Sequence, residues 1–328
     1  MNCPVPGVVA TATPLDRALA WAERRPERIR GYNPWQLAVR VLHAASRHRI
    51  SGPAAEMSFF ALLTLVPSTV AVGAALGFVE RIVGPAKIAR GQDAAIAAVR
   101  TLMSPKLADS VVDPFVRAQL TQRQGGAAAG GLLLTWWLAS RLFTATSGAL
   151  DAAYDQTYRG PTIVQRFVAL AFALASVVVV VLTLGMMVDA PFVDERRDLA
   201  TRFGVGHEVA IAWEIGRWPA LLALMIGFLL CLYRFAGSVR RSWGDCLPGA
   251  AVGVVLWIAA AAAFRVYLAF GRGAPTGVVV NDTNVVIIGR AVGAVVATVL
   301  WTYFSSIAIL LGNELNAELG RLRGEAGG

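Results

Sequence analysis

Charged side chains within long apolar runs are costly in lipid and are kept for pairing or for function. This chain has a short set of them. Arg141 interrupts the apolar run at 127–150, Asp151 follows that run, and Glu314 and Asn316 follow another at 285–311. With those two ends on one side of a membrane, Arg141 and Glu314 lie at similar depth. They are then an ion pair, or members of a polar site shared with Asp151 and Asn316 at the inner mouth of a central cavity. The alternative is that Arg141 snorkels to the headgroups and Glu314 is a solvated helix end. Arg265 and Arg290 form a second set, near the outer ends of the fifth and sixth runs. Guanidinium groups there could hold an anionic headgroup through paired donors, or bridge to Asp189, Asp282 or the outer-leaflet headgroups.

Enzyme chemistry finds little to work with. The three histidines, His43, His48 and His207, make no HxH or HExxH pattern, so a metal-dependent nuclease has no legible ligand set. Cys3, Cys231 and Cys246 have no CxxC spacing. No phosphate-binding glycine loop and no GxSxG turn occur. No catalytic residue, metal or cofactor is expected, and ATP-driven pumping by this chain alone is not.

The elements that must position the polar set are long and apolar. Of 328 residues, 56% are hydrophobic and only 16% charged, against about 25% in soluble domains. Six runs approach the roughly 20 helical residues that cross a hydrocarbon core of about 30 Å: 55–79, 127–150, 167–188, 213–235, 247–268 and 285–311. A backbone in lipid must satisfy its own hydrogen bonds, so each is expected as a helix. The fold class that follows is all-α: a polytopic membrane protein of six transmembrane helices filling residues 53–320, with a polar tail at 321–328. Pro67 stands mid-way in the first span, where a missing N–H should kink the helix or serve as a hinge. Pro219 is expected in the first turns of the fourth, where it costs little. Gly249 and Gly253, and Gly289 and Gly293, are four apart and would let helices approach closely.

Two segments lie outside the spans. Residues 1–52 carry eight arginines, and Trp35 to Ile50 reads as an amphipathic helix, either lying on the cytoplasmic leaflet or packed as a lead-in against the bundle. Met1 to Thr13 lacks the basic-then-apolar order of a secretory signal. Between the first two spans, 80–126 is too polar to cross and too patterned for an unstructured loop, so a helical extracytoplasmic cap is expected there. The net charge of +9 comes almost wholly from arginine, since Lys87 and Lys106 are the only lysines. Its position flanking the runs points to cytoplasmic loops and anionic lipid rather than nucleic acid. An even number of spans puts both termini on one side, and the arginines favour the cytoplasm.

Motifs in order then become specific. Tyr233-Arg234-Phe235 is followed by Trp243, Asp245, Pro248, Gly249, Ala250, Trp257, Phe264 and Tyr267, then by Trp301, Tyr303 and the stretch Leu311 to Glu318. With Ser58 to Pro67, and with Ala139-Ser140-Arg141-Leu142-Phe143 leading to Ala149 to Tyr154, this order resembles the YihY/virulence factor BrkB family of bacterial inner-membrane proteins, formerly called ribonuclease BN. The resemblance covers roughly residues 35–320. It departs at Asp151, where the family usually has Asn, and at Asn313, where it usually has Ala. The resemblance implies six transmembrane helices, the inner membrane and a role in envelope integrity, without a settled activity. The expected function is an envelope-integrity protein that binds or moves an amphiphilic or anionic component such as a lipid. The alternative is a non-transporting scaffold whose cap binds envelope partners. Membrane lipids and an envelope lipid or small-molecule substrate are the expected partners, and a homo-oligomer is left open.

Overall fold

The computed structural model describes residues 14–24, 33–83, 125–156, 163–187, 206–238, 241–271 and 283–327. Among these residues all regular structure is α-helical: α1 (Pro14–Glu23), α2 (Pro34–Arg47), α3 (Ser51–Val83), α4 (Gly125–Ala152), α5 (Ile163–Met187), α6 (Gly206–Phe235), α7 (Trp243–Gly271) and α8 (Thr283–Gly327). The six apolar runs fall in α3 to α8 in order. Three stretches are long and apolar enough to cross a membrane: Ile215–Phe235, Trp243–Tyr267 and Val295–Gly324. Ile163–Val179 of α5 is a shorter apolar stretch.

The six long helices pack in a closed circle. Each touches the next in sequence from α3 to α8, and α8 closes back on α3. The shafts are dressed inside out relative to a water-soluble bundle. Leu133, Phe167, Leu174, Val255 and Val266 are more than half exposed, as expected where the surrounding solvent is hydrocarbon. Hydroxyls on the shafts turn back on their own helices: Thr135 donates to the Gly131 carbonyl, Thr144 to Ser140, Ser176 to Phe172 and Ser306 to Thr302. This keeps them satisfied without water.

The buried core lies at one end of the circle. Ala54 and Met57 begin α3, Leu150 ends α4, Leu232 and Tyr233 end α6 with Ala236 just after it, Cys246, Ala250 and Val254 begin α7, and Leu310 lies in the later part of α8. Alternate helices therefore begin or finish there, as a circle of antiparallel neighbours requires.

Several details differ from the sequence expectations. A short helix, α1, precedes the amphipathic one. Asn33 couples the two: its Oδ1 accepts from the N–H groups of Trp35 and Gln36, capping α2, while its Nδ2 donates to the Ala22 carbonyl in α1. Trp21 and Trp35 meet edge to face. Helix α2 packs on α8 with Val41, Ala44 and Ala45 buried, while Trp35 and Leu42 stay exposed. Pro219 lies well inside α6 rather than in its first turns, because that helix starts at Gly206. Helix α8 runs on to Gly327, so most of the segment expected as a tail is helical. The expected cap lies outside the described residues beyond Val83 and before Gly125.

Candidate functional site

The buried polar side chains concentrate in one layer at the end where α4, α6 and α8 finish. Asp151, Asn313, Glu314 and Asn316 are each at most 2% exposed. Helices meeting in lipid gain little from apolar contact alone, so small residues and hydrogen bonds specify their seams.

The α7–α8 seam is the tightest. A Cβ at Gly249 would stand 2.1 Å from the Gly312 carbonyl oxygen, and one at Gly312 would stand 2.6 Å from that of Gly249. The Asn316 amide lies across this contact: its Oδ1 accepts from the Gly249 N–H at 2.7 Å and its Nδ2 donates to the Cys246 carbonyl at 3.2 Å. Those two backbone groups flank Pro248, whose ring disturbs the local helical bonding. The Tyr233 hydroxyl donates to the Ile309 carbonyl at 2.7 Å and ties α6 to the same seam. The expected close approach at Gly249 is present, but its partner is Gly312. Gly293 has nothing within 4 Å of where a Cβ would be.

On the α4 side, Asn313 Nδ2 donates to the Leu150 carbonyl at 3.0 Å, and the Tyr154 hydroxyl donates to the Asn313 carbonyl at 3.3 Å. Asp151 Oδ1 accepts from the Ser238 N–H at 2.7 Å, holding the turn after α6. Asp151 Oδ2 and Ser147 Oγ, one helical turn apart, are buried and have no hydrogen-bond partner. The Arg241 guanidinium lies over the Tyr154 ring. Burial pushes the Tyr154 phenol well above its ordinary range, against the opposing pull of Arg241. The same burial lowers the Arg241 guanidinium.

The N-terminal segment completes the layer. His48 Nδ1 meets Glu314 Oε1 at 2.7 Å. On the other side of the imidazole, Nε2 is 3.1 Å from Arg47 Nη2 and 3.5 Å from Asp155 Oδ1. Asp155 also bonds to Arg47 at 3.2 Å and to Arg321 at 2.9 Å. Slight desolvation would raise the Asp155 carboxyl, but Arg47 and Arg321 hold it below its ordinary range. Arg321 further pairs with Glu318, and Arg323 with Asp245. Among the described residues the two non-glycine positions with left-handed backbone are Arg49 (φ 49°) and Asp155 (φ 54°). They lie in the turns after α2 and α4, the two turns that face each other at His48.

Of the residues singled out from sequence, Asp151, Glu314 and Asn316 lie in this layer. Arg141 does not: it is exposed on α4 with its guanidinium 5.5 Å from the centre of the Trp137 ring. The ten residues from Arg141 to Asp151 correspond to about 15 Å along the helix axis, and Glu314 has His48 as its partner instead. Arg265 is exposed on α7. Arg290 lies on α8, but its side chain is outside the described ones, as are the suggested partners Asp189 and Asp282. Pro67 is buried within a continuous α3. His48, Tyr154, Asp155 and Arg321 were not singled out as site residues; Tyr154 closes the motif at 149–154, and no local pattern marks the other three. Among the described residues no group of three or more His, Cys, Asp or Glu could hold a metal ion.

The layer is thus built from the same stretches that carry the motifs at 139–154, 233–250 and 311–318. The pattern of the family described as virulence factor BrkB matches residues 41–327. A similar protein is the "Putative ribonuclease-like protein YfkH" of Bacillus subtilis (strain 168), 24% identical over 273 residues, or 83% of this chain and 90% of that one. No solved structure matches the chain. With a match that spans nearly the whole of α2 to α8, the chain belongs to the virulence factor BrkB family.

Proposed function

We propose that the chain is a six-span protein of the bacterial inner membrane, with both termini in the cytoplasm, that serves envelope integrity by binding or moving an anionic amphiphile such as a lipid. The observation that carries this reading is the company kept by the polar layer. Arg47, Arg234, Arg241, Arg321 and Arg323 gather at the end of the circle where it lies. Arginine concentrates on the cytoplasmic side of membrane proteins and attracts anionic headgroups. The exposed apolar shafts suit lipid around the rest. Arg265 and Arg290 remain the proposed headgroup contacts at the outer end, and 80–126 the proposed extracytoplasmic cap. The reading includes no enzymatic step, no cofactor and no nucleic-acid partner. The word ribonuclease in the relative's name comes with no residue here to which a hydrolytic role is assigned.

The scaffold alternative draws on a different observation. Backbone contact at Gly249 and Gly312, with Asn316 across it, is the packing of a seam built to stay closed. Reconstitution separates the two. Purified protein in liposomes is assayed for flip of fluorescent anionic lipids, with Arg141→Ala, Arg323→Ala and empty vesicles alongside. Transport predicts that the wild type exceeds empty vesicles and that Arg323→Ala loses part of the gain. Equal rates in every sample favour the scaffold.

A further inference from the structure

We infer that Glu314 is a proton-binding site and that His48 is the relay that loads it from the arginine-rich side. The inference borrows from the membrane reading only the identity of the solvent that supplies the proton.

The geometry is a chain of three groups graded from exposed to buried. The Asp155 side chain is 63% exposed, that of His48 10% and that of Glu314 2%. The imidazole stands between the two carboxylates, with Nε2 3.5 Å from Asp155 Oδ1 and Nδ1 2.7 Å from Glu314 Oε1. The second oxygen of Glu314, Oε2, is buried without a hydrogen-bond partner. An ionised carboxylate left half unsatisfied in a buried site is expensive. A proton on Oε1 would leave Oε2 as a neutral carbonyl oxygen, for which the same isolation costs far less. The site therefore accommodates both forms, which a fully paired carboxylate would not.

Arg47 sets the resting tautomer. A guanidinium only donates, so its contact with His48 Nε2 at 3.1 Å requires that nitrogen to accept. The ring proton is then on Nδ1 and donates to Glu314 Oε1. Loading runs as follows. A solvent proton binds at Nε2, and Arg47 keeps its bond to Asp155, which already exists. The imidazolium Nε2–H then faces Asp155. The Nδ1 proton passes to Oε1, leaving a neutral imidazole and a neutral Glu314. One proton has left the solvent and one resides on Glu314, so the pair has lost one negative charge.

The other charged and titratable groups around the pair are accounted for. On α8, Glu318 is engaged by Arg321; after α4, Tyr154 bonds to Asn313 and Asp155 to Arg47 and Arg321; at α7, Asp245 bonds to Arg323. None of them reaches Glu314 Oε2. Loading also replaces a charge-assisted bond between His48, at the end of α2, and α8 with a neutral one, loosening a side-chain tie between the two.

The test uses the full chain in detergent and needs no lipid substrate. A jump from neutral to mildly acidic buffer is followed by the infrared band of protonated carboxyl groups and by a pH dye that counts protons. The expected result is one proton fewer, and a missing band component, in Glu314→Gln. In His48→Ala the same final uptake should arrive about 100-fold more slowly, the lower end for a positioned proton-transfer group, and free imidazole should restore the rate. Asp155→Asn, an exposed change expected to cost little stability, should slow uptake by a smaller factor. Equal proton counts in the wild type and Glu314→Gln overturn the site. An undiminished rate in His48→Ala overturns the relay. Either failure leaves the lipid-flip result standing, and the reverse also holds.

Discussion

The end of the helix circle that holds the polar layer and the apolar shafts beside it are stabilised by different means. In the layer, chain-distant elements are joined by hydrogen bonds: the end of α2 to α8, α4 to the turn after α6, α6 to α8, α7 to α8. Along the shafts many large side chains, among them Leu133, Phe167, Leu174 and Val266, point outward. Water would never tolerate the second arrangement. The contrast shows where specificity resides when lipid removes the drive to bury apolar surface: in backbone contact and in hydrogen bonds between helices.

The comparison is broken most severely at the seam. Gly249→Leu places a side chain 2.1 Å from the Gly312 carbonyl oxygen, and backbone cannot yield as a flexible side chain would. The expected cost is about 3 kcal/mol or more, seen as loss of folded protein in a thermal-stability assay in detergent. Gly293→Leu, with open space around it, should be silent in the same assay. Next comes the lipid face. Val255 is 64% exposed within the α7 span, and an Asp at the centre of a span costs about 3 kcal/mol of insertion. Val255→Asp should lower membrane integration, whereas Val255→Leu should not. If Val255→Asp inserted as well as the wild type, the exposed shafts would not be facing lipid.

Within the layer, Asn316→Ala strips the Gly249 N–H and the Cys246 carbonyl of their partner. Leaving buried groups unpaired costs about 1–3 kcal/mol, so the melting temperature should fall clearly. Asp151→Asn should cost little, because an amide oxygen can still accept from the Ser238 N–H. A melting temperature unchanged in Asn316→Ala would mean that the glycine contact alone holds the seam.

The long helices were legible because length and apolarity are local properties. Their facing was not. In water one face of a helix is polar and marks the outside, but on a shaft in lipid both faces are apolar. Arg141 and Glu314 could therefore be placed at similar depth without a means of telling that Arg141 turns outward to Trp137. Gly249 was marked as a contact by its type, but its partner depends on how α8 is rotated, and Gly312 rather than Gly293 faces it. The pairing of His48 with Glu314 spans 266 positions, and nothing in either neighbourhood announces it. Helix α1 was missed because it is short, only ten residues, and its tie to Asn33 is a tertiary contact.

The smallest effect is electrostatic and concerns the rim of the layer rather than its centre. Asp155 is held below its ordinary range by Arg47 and Arg321, despite slight desolvation acting the other way. A carboxyl whose folded value is depressed contributes stability that is complete above its unfolded value and drains away as pH falls through the folded one. Asp155→Asn should therefore lower stability at neutral pH and converge with the wild type in acid. Because the side chain is 63% exposed, screening limits the difference to less than about 1 kcal/mol, and added salt should shrink it further. The salt dependence sharpens the comparison: Asn316→Ala, buried and neutral, should show almost none. If salt left the Asp155→Asn difference untouched, that carboxylate would belong with the sealed interior of the layer and not with its solvent-washed edge.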